Sequence, residues 1–216
     1  MNADSRDTQR HEPTRINVIG TSGSGKTTFA RALATARELP FIELDAIFWG
    51  PDWRQPPDAE FFPRVEEIVA GDRWVLDGNY SRTTPIKWPR VEQVIWLDLS
   101  FVCTVLRVTR RCLRRSFSRK EIWPGTGNRE TLRQSFLSRR SVILWAITNH
   151  RRNRLRYRAL FDDPPEECAH IDFVRLRSPR EVARFLESVR RDPGDSIVRS
   201  RGPTPQGGTD GTALSR

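Results

Sequence analysis

The sequence predicts an α/β fold, a five-stranded parallel sheet in three layers with helices on both faces and an arginine-rich helical insertion. Three observations lead there. Short β-branched or apolar runs alternate with longer segments of helical spacing, the pattern of strands joined by crossover helices. A glycine-rich turn separates the first such strand from the first such helix. The residues from Arg107 to Arg158 include sixteen Lys and Arg against two acids, a local net charge of +14 in a chain of 216 residues that nets only +10.

The elements follow in order. Arg15–Ile19 (RINVI) is the first strand and ends at Gly20. Lys26–Leu39 is Ala-rich with Phe29, Leu33 and Ala36 at helical spacing, until Pro40 stops it. Phe41–Leu44 is the second strand. After the loop GPDWRQPP, Asp58 caps a helix that carries Phe61, Phe62, Val65, Ile68 and Val69 on one face and closes at Gly71. Arg73–Leu76 and Gln93–Leu97 are two more strands, followed at once by Asp77 and Asp98. Ser100 caps a helix that runs into the arginine block. His170–Val174 is the last strand, and Ser178-Pro179-Arg180-Glu181 is a capping box opening a helix through Val182, Phe185, Leu186 and Val189. Residues 1–13 are polar and 192–216 are rich in Gly, Pro, Ser and Thr, so both are expected to be disordered arms around one domain at 14–191.

Composition excludes several classes. The longest apolar run, Val142–Ile147, is far short of the ~20 residues that a bilayer requires. Cys103, Cys112 and Cys168 are odd in number and lack C-x-x-C spacing, against a disulfide scaffold or a zinc site. No apolar stretch opens the chain, so the expectation is a reduced, cytoplasmic protein with no membrane partner. Seven Trp and eleven Phe demand a real core despite a mean hydropathy of −0.61. Fifteen of the sixteen cations in the block are Arg, whose planar fork grips phosphate oxygens in pairs, so the block wants polyphosphate, nucleic acid or an anionic surface.

Gly20-Thr21-Ser22-Gly23-Ser24-Gly25-Lys26-Thr27-Thr28 is the pattern G-x-x-x-x-G-K-[ST], placed between strand and helix. The glycines let consecutive backbone N–H groups turn into one concavity, and the helix N-terminus adds positive potential. Lys26 then reaches the outer phosphates of a nucleotide and the Thr27 hydroxyl ligates Mg²⁺. Magnesium also needs a carboxylate at the end of a neighbouring strand, which either Asp77 or Asp98 can supply. Asp77 is favoured because Gly78 lets the chain turn close to the phosphates, whereas Asp98 leads straight into a helix cap.

On these residues, together with ELDAIFW at Glu43–Trp49, WVLDGNYS at Trp74–Ser81 and the run from Asp98 to Arg107 and Arg111, the chain resembles the nucleoside-monophosphate kinase superfamily. Within it, the chain is most similar to the adenylate-kinase-like branch named DNA topology modulation proteins, over about residues 15–190. The resemblance implies a P-loop NTPase fold that uses ATP and Mg²⁺. In adenylate kinases the third strand ends Asp-Gly-Phe-Pro-Arg, where the Asp organises Mg²⁺ and the Arg grips the acceptor phosphate. Here Asp77-Gly78 fits, but the arginine is Arg82, one place further on. Arg107 and Arg111 match the arginines that flank adenine and polyphosphate, and the insertion from about Ser116 to Arg156 stands where those kinases carry a mobile lid. By the same analogy, Arg175 to Ser178 lie near the adenine. One departure concerns the acceptor: an arginine-bearing AMP helix is replaced by Glu43-x-Asp45 and an aromatic loop of Phe48, Trp49 and Trp53. That is closer to small-molecule kinases of the shikimate or gluconate type, in which a carboxylate after the second strand holds the acceptor hydroxyl and can act as its base. Asp45 is the candidate for that role, or else a cap or a contact to a Mg²⁺-bound water; Trp49 and Trp53 stack on a substrate or simply pack.

Two readings from different classes follow. In the first the chain is a Mg²⁺-ATP-dependent phosphotransferase acting on a small-molecule or nucleotide acceptor. Lys26, Asp45, Arg107 and Arg111 are its catalytic candidates; Gly20, Ser22, Gly23, Ser24, Gly25, Lys26, Thr27, Thr28 and Arg107 hold ATP. Asp45, Trp53 and Arg82 receive the acceptor, Thr27 and Asp77 hold the metal, and Arg151, Arg152 and Arg154 are further lid candidates. In the second the chain binds nucleic acid with ATP as a switch, its arginine block tracking the phosphate backbone. No helix-turn-helix, zinc-finger or RNA-recognition signature accompanies the block, and an ATP lid is sufficient reason for it. A nucleotide-binding regulator without transfer activity is a third, weaker reading.

Overall fold

The computed structural model describes residues 12–118, 121–131 and 141–191. The two expected arms therefore lie almost wholly outside the described residues, as do parts of the expected lid. Five strands form one all-parallel sheet: β1 (Arg15–Gly20), β2 (Phe41–Glu43), β3 (Trp74–Asp77), β4 (Gln93–Leu97) and β5 (Asp172–Leu176), in the spatial order β2-β3-β1-β4-β5. This is the predicted sheet, with the glycine-rich turn leaving its central strand.

Both faces of the sheet are covered, which is why its strands are apolar on alternate and intervening positions alike. Ile16 and Val18 of β1 and Ile95 and Leu97 of β4 pack with Phe29, Ala30 and Leu33 of α1 (Lys26–Ala36) and with Val189 of the last helix (Pro179–Arg191). Ile19, Val94 and Trp96 face the other way, into a cluster with Phe61, Val65 and Val69 of α3 (Asp58–Val69). The short α2 (Leu44–Phe48) and α4 (Thr84–Lys87) flank this second layer. A third cluster, Val108, Cys112, Ile143 and Ala146, joins α5 (Phe101–Ser118) to α6 (Val142–Asp162). Among the described residues no helix is long and apolar enough to cross a membrane.

Several boundaries differ from the sequence expectation, each for a local reason. Helix α1 ends at Ala36, not Leu39, because Glu38 turns left-handed (φ 53°) and the Leu39 N–H reaches back to the Ala34 carbonyl at 2.9 Å. The chain has already reversed before Pro40. Asp58 is the first residue of α3 rather than its cap; its carboxylate pairs instead with Arg82 at 2.7 Å. Leu44 opens α2 instead of ending β2, and β5 starts at Asp172, two residues after His170. The capping box is formed as expected, with the Glu181 N–H donating to Ser178 Oγ at 3.2 Å.

Strand register levels the ends that matter. Val18 pairs across from Asp77 and Gly20 across from Leu97, so the turn after β1 sits between the C-terminal ends of β3 and β4. Helix α5 lies directly on that turn: a Cβ built on Gly23 (φ +89°) would stand 2.5 Å from the Thr104 carbonyl and 2.9 Å from Val108 Cβ. The substitution G23A therefore combines left-handed strain with a clash against backbone. It is expected to cost ~2 kcal/mol or more and to lower the Tm by roughly 4–8 °C, while G71A, whose Cβ would meet only ordinary contacts, changes little. Paired thermal melts check this; equal melts would show that α5 does not bear on the turn.

Candidate active site

The turn Gly20–Thr28 forms a cradle through three glycines with positive φ, at Gly20 (151°), Gly23 (89°) and Gly25 (92°). Its first peptide is gripped on both sides: Gly20 N–H donates to Asn79 Oδ1 at 2.9 Å, and Asn79 Nδ2 donates to the Gly20 carbonyl at 2.7 Å. Lys26 Nζ donates to the Thr21 carbonyl at 3.5 Å, across the mouth of the turn. From α5, Arg107 donates to the Ser24 carbonyl at 3.3 Å and Arg111 to Ser22 Oγ at 3.1 Å. The expected phosphate-side residues are thus assembled, except that Thr28 points to solvent on α1.

Asp77 and Asp98 are separated by their partners. The Thr27 hydroxyl donates to Asp77 Oδ2 at 2.5 Å, while Asp77 Oδ1 is buried without a hydrogen-bond partner. Burial pushes the Asp77 carboxyl up, and Asp45 adds to that, against the pull of Lys26, the Thr27 hydrogen bond and Arg111. A hydroxyl and a half-satisfied carboxylate beside a phosphate cradle are the donor set that Mg²⁺ uses, with phosphates and waters completing its shell. Among the described residues no set of three or more acidic, His or Cys side chains makes a protein-only metal cage. Asp98, by contrast, is filled by cations: Arg154 Nε at 2.9 Å and Arg175 Nη2 at 2.7 Å, with Arg175 also 4.5 Å over the Trp96 ring. Arg154, a lid candidate, and Arg175, expected near the adenine, thus meet at Asp98.

On the other side of the cradle the C-terminal end of β2 brings a second set. Tyr80 donates its hydroxyl to Asp45 Oδ1 at 2.6 Å, and burial together with Asp45 holds that phenol well above its usual range, so it remains a donor. Glu43 lies level with Asp77 in the register and accepts from Trp123 Nε1 at 3.2 Å. Burial raises the Glu43 carboxyl, with Asp77 and Asp45 adding to the rise and the Trp123 hydrogen bond and Arg31 opposing it. Trp53 is placed here by edge contacts to Trp49 (5.7 Å) and Trp123 (6.0 Å). Arg82 borders this set: it acts on Tyr80 and lies over the rings of Phe48 and Phe61, while its guanidinium pairs with Asp58.

No family model matches the sequence. Two curated proteins, the cytidylate kinases of Nitratidesulfovibrio vulgaris strains DP4 and Hildenborough, are each 36% identical over 70 residues, which is 31% of this chain and 29% of theirs. The match thus spans under a third of the length of those relatives. Among solved structures, a gluconokinase from Sinorhizobium meliloti 1021 is similar over 88% of this chain and 94% of its own, at 20% identity and a TM-score of 0.45. A second solved structure, titled a putative kinase from Chloroflexus aurantiacus j-10-fl, is similar over 82% of this chain and 98% of its own, at 16% identity and a TM-score of 0.43. The chain has a five-stranded, all-parallel α/β fold with its glycine-rich phosphate-loop motif between β1 and α1.

Three functional candidates escape the sequence reading. Trp123 and Asn128 belong to the arginine-rich insertion, where charge draws the eye away from them. Lys87 lies in an unremarked turn, yet it is fully buried and donates to the carbonyls of Asn79 (3.0 Å) and Gly78 (3.3 Å). Burial, with Arg156 adding to it, pushes this lysine down from its ordinary 10.5 to about 7. A neutral amine still offers two N–H groups for two carbonyls, and through Asn79 it steadies Gly20. The unfolded chain keeps its proton up to the ordinary value, so this group's contribution to stability is smallest below pH 7 and grows as pH rises from 7 toward 10. The Tm difference between the unmodified chain and K87M is expected to shift in favour of lysine between pH 6.5 and 9.5 (roughly the window that the shift opens). A difference that does not change with pH would mean that Lys87 is charged in the fold.

Proposed function

We propose that this chain is a P-loop kinase that transfers the γ-phosphoryl group of ATP to a hydroxyl acceptor held at Asp45. The observation that carries the reading is one edge of the sheet where Lys26, Thr27 and Asp77 meet Asp45 closely enough for the two carboxylates to act on each other. The cradle N–H groups and Lys26 hold the phosphates, and Arg107 and Arg111 stand against the same turn to neutralise charge as it moves outward. Thr27 and Asp77 would hold Mg²⁺, which would offset the charge of the phosphates. The bond from the γ-phosphorus to the bridging oxygen of ADP breaks as the acceptor oxygen bonds to that phosphorus. Asp45 takes the acceptor proton, oriented for the task by the Tyr80 hydroxyl. Within this class we assign the chain to the adenylate-kinase-like branch named DNA topology modulation proteins, on the meeting of ELDAIFW and WVLDGNYS at this edge.

Among the described residues, Arg107, Arg111, Arg115 and Arg154 reach Ser24, Ser22, Glu130 and Asp98, so a quarter of the block's cations have partners within the fold itself. The test is acceptor-dependent ADP release with Mg²⁺-ATP, screened over sugars, amino alcohols, nucleosides and nucleoside monophosphates. K26A and D77N are each expected to cut turnover by about a hundredfold or more, and D45N to lower kcat with the affinity for ATP retained. Full turnover by K26A would end the phosphotransfer reading, and ADP release driven by DNA alone would replace it with the nucleic-acid one.

A further inference from the structure

The arginine-rich insertion does more at the acceptor side than supply charge. Asn128, 1% exposed, donates from Nδ2 to the Gly50 carbonyl and accepts at Oδ1 from the Trp53 N–H, both at 2.9 Å. It thereby pins a turn in which two consecutive non-glycine residues, Asp52 (φ 54°) and Trp53 (φ 60°), are left-handed. Strain of this kind persists only where the surroundings impose it, and it gathers at ligand clamps. Its effect here is to set the Trp53 indole against Trp123, whose own N–H is tied to Glu43.

The charges around this pair of indoles are one-sided. Glu43, Asp45 and Asp77 lie close enough to act on one another. The cations at hand are already engaged: Arg31 with Glu43 at 3.7 Å, Arg82 with Asp58 at 2.7 Å and Arg115 with Glu130 at 3.6 Å. Among the described residues no ion pair holds Asp45; its recorded partner is the neutral Tyr80 hydroxyl. Lys26 and Arg111 act on Asp77 from the cradle side, where the nucleotide phosphates belong, so a phosphate or carboxylate on the indole side of these acids would meet only cations already paired. Indoles near a carboxylate that no cation pairs, here Asp45, are instead the chemistry that receives an organic cation.

We infer that the acceptor is a hydroxyl compound carrying a positive charge, an amino alcohol or amino sugar, whose ammonium group sits at the indoles of Trp53 and Trp123 and whose hydroxyl meets Asp45. The inference rests on the kinase reading for the role of Asp45. Asn128 is a positioning residue that acts through Trp53.

Calorimetric titration of the full chain with Mg²⁺-ADP present tests it. The probes are glucosamine, ethanolamine and choline, their uncharged parents glucose and ethylene glycol, and glucose 6-phosphate and CMP. At least one amine is expected to bind ten or more times tighter than its parent, with no saturable binding of the phosphates. W123A is expected to abolish that ratio and W123F to keep most of it, a pattern that loss of folding would not produce. Equal binding of amine and parent, tighter binding of a phosphate, or binding by none of the amines overturns the inference. ADP release with CMP as acceptor would overturn it while leaving the kinase reading intact; selective amine binding without any phosphotransfer would do the reverse.

Discussion

The amide of Asn79 closes on the Gly20 peptide from both sides, and the site depends on that grip. A phosphate cradle needs its N–H groups turned inward, a backbone state that the chain does not favour on its own, so something outside the turn must hold it. Asn79 does so from the end of β3, and the buried amine of Lys87 holds the Asn79 and Gly78 carbonyls in turn. Asn17 of β1 adds a third tie, donating to the Leu76 and Gly78 carbonyls at 3.1 and 3.2 Å. Asn17 and Lys87 are fully buried and Asn79 partly so, and each hydrogen bond counts because a lost partner would leave a donor or acceptor stranded away from water. The same loop carries Asp77, so metal carboxylate and cradle are positioned by one network rather than two.

Electrostatics divides the site into two halves. The cradle half is cationic, with Lys26, Arg107 and Arg111 beside backbone donors, and suits a nucleotide polyphosphate. The β2 half is acidic and aromatic, with Glu43, Asp45, Tyr80, Trp53 and Trp123. Asp77 stands at the seam, lifted by burial and Asp45 and pulled down by Lys26 and Arg111.

The arginine block shows how a single feature of the sequence separates on folding. Its +14 charge suggests one broad polyanion surface. In the fold, Arg107 and Arg111 sit on the turn, Arg115 meets Glu130, Arg154 meets Asp98, and Arg110, Arg114, Arg151 and Arg152 remain exposed. Helix α5 explains part of this: positions 104, 108 and 112 are buried, so Arg107 and Arg111 flank the buried stripe while Arg110 and Arg114 point outward. The partners themselves, Glu130 and Asp98, are distant in sequence and had no signal there.

The sequence by itself determined the succession of strands and helices and the glycine-rich turn, because both are written in contiguous residues. Alternating apolar runs give strands and helices, and Gly20–Thr28 holds the glycines, Lys26 and Thr27, though not Asn79, which grips the turn from outside. Element ends were legible to within a few residues; Glu38 ended α1 because left-handed geometry at a non-glycine position depends on the packing around it. Only the tertiary structure separates the surroundings of Asp77 from those of Asp98. Both follow strands that flank β1, and their local sequences differ by little more than a glycine. Two arginines from β5 and α6 neutralise Asp98, whereas Asp77 keeps one oxygen unpaired beside Thr27. The acceptor wall was likewise beyond local reading, since Glu43, Trp53, Trp123 and Asn128 come from three separate stretches that meet only when the insertion folds back. Long-range contact is a property of the closed sheet and its crossovers, and no window of residues contains it.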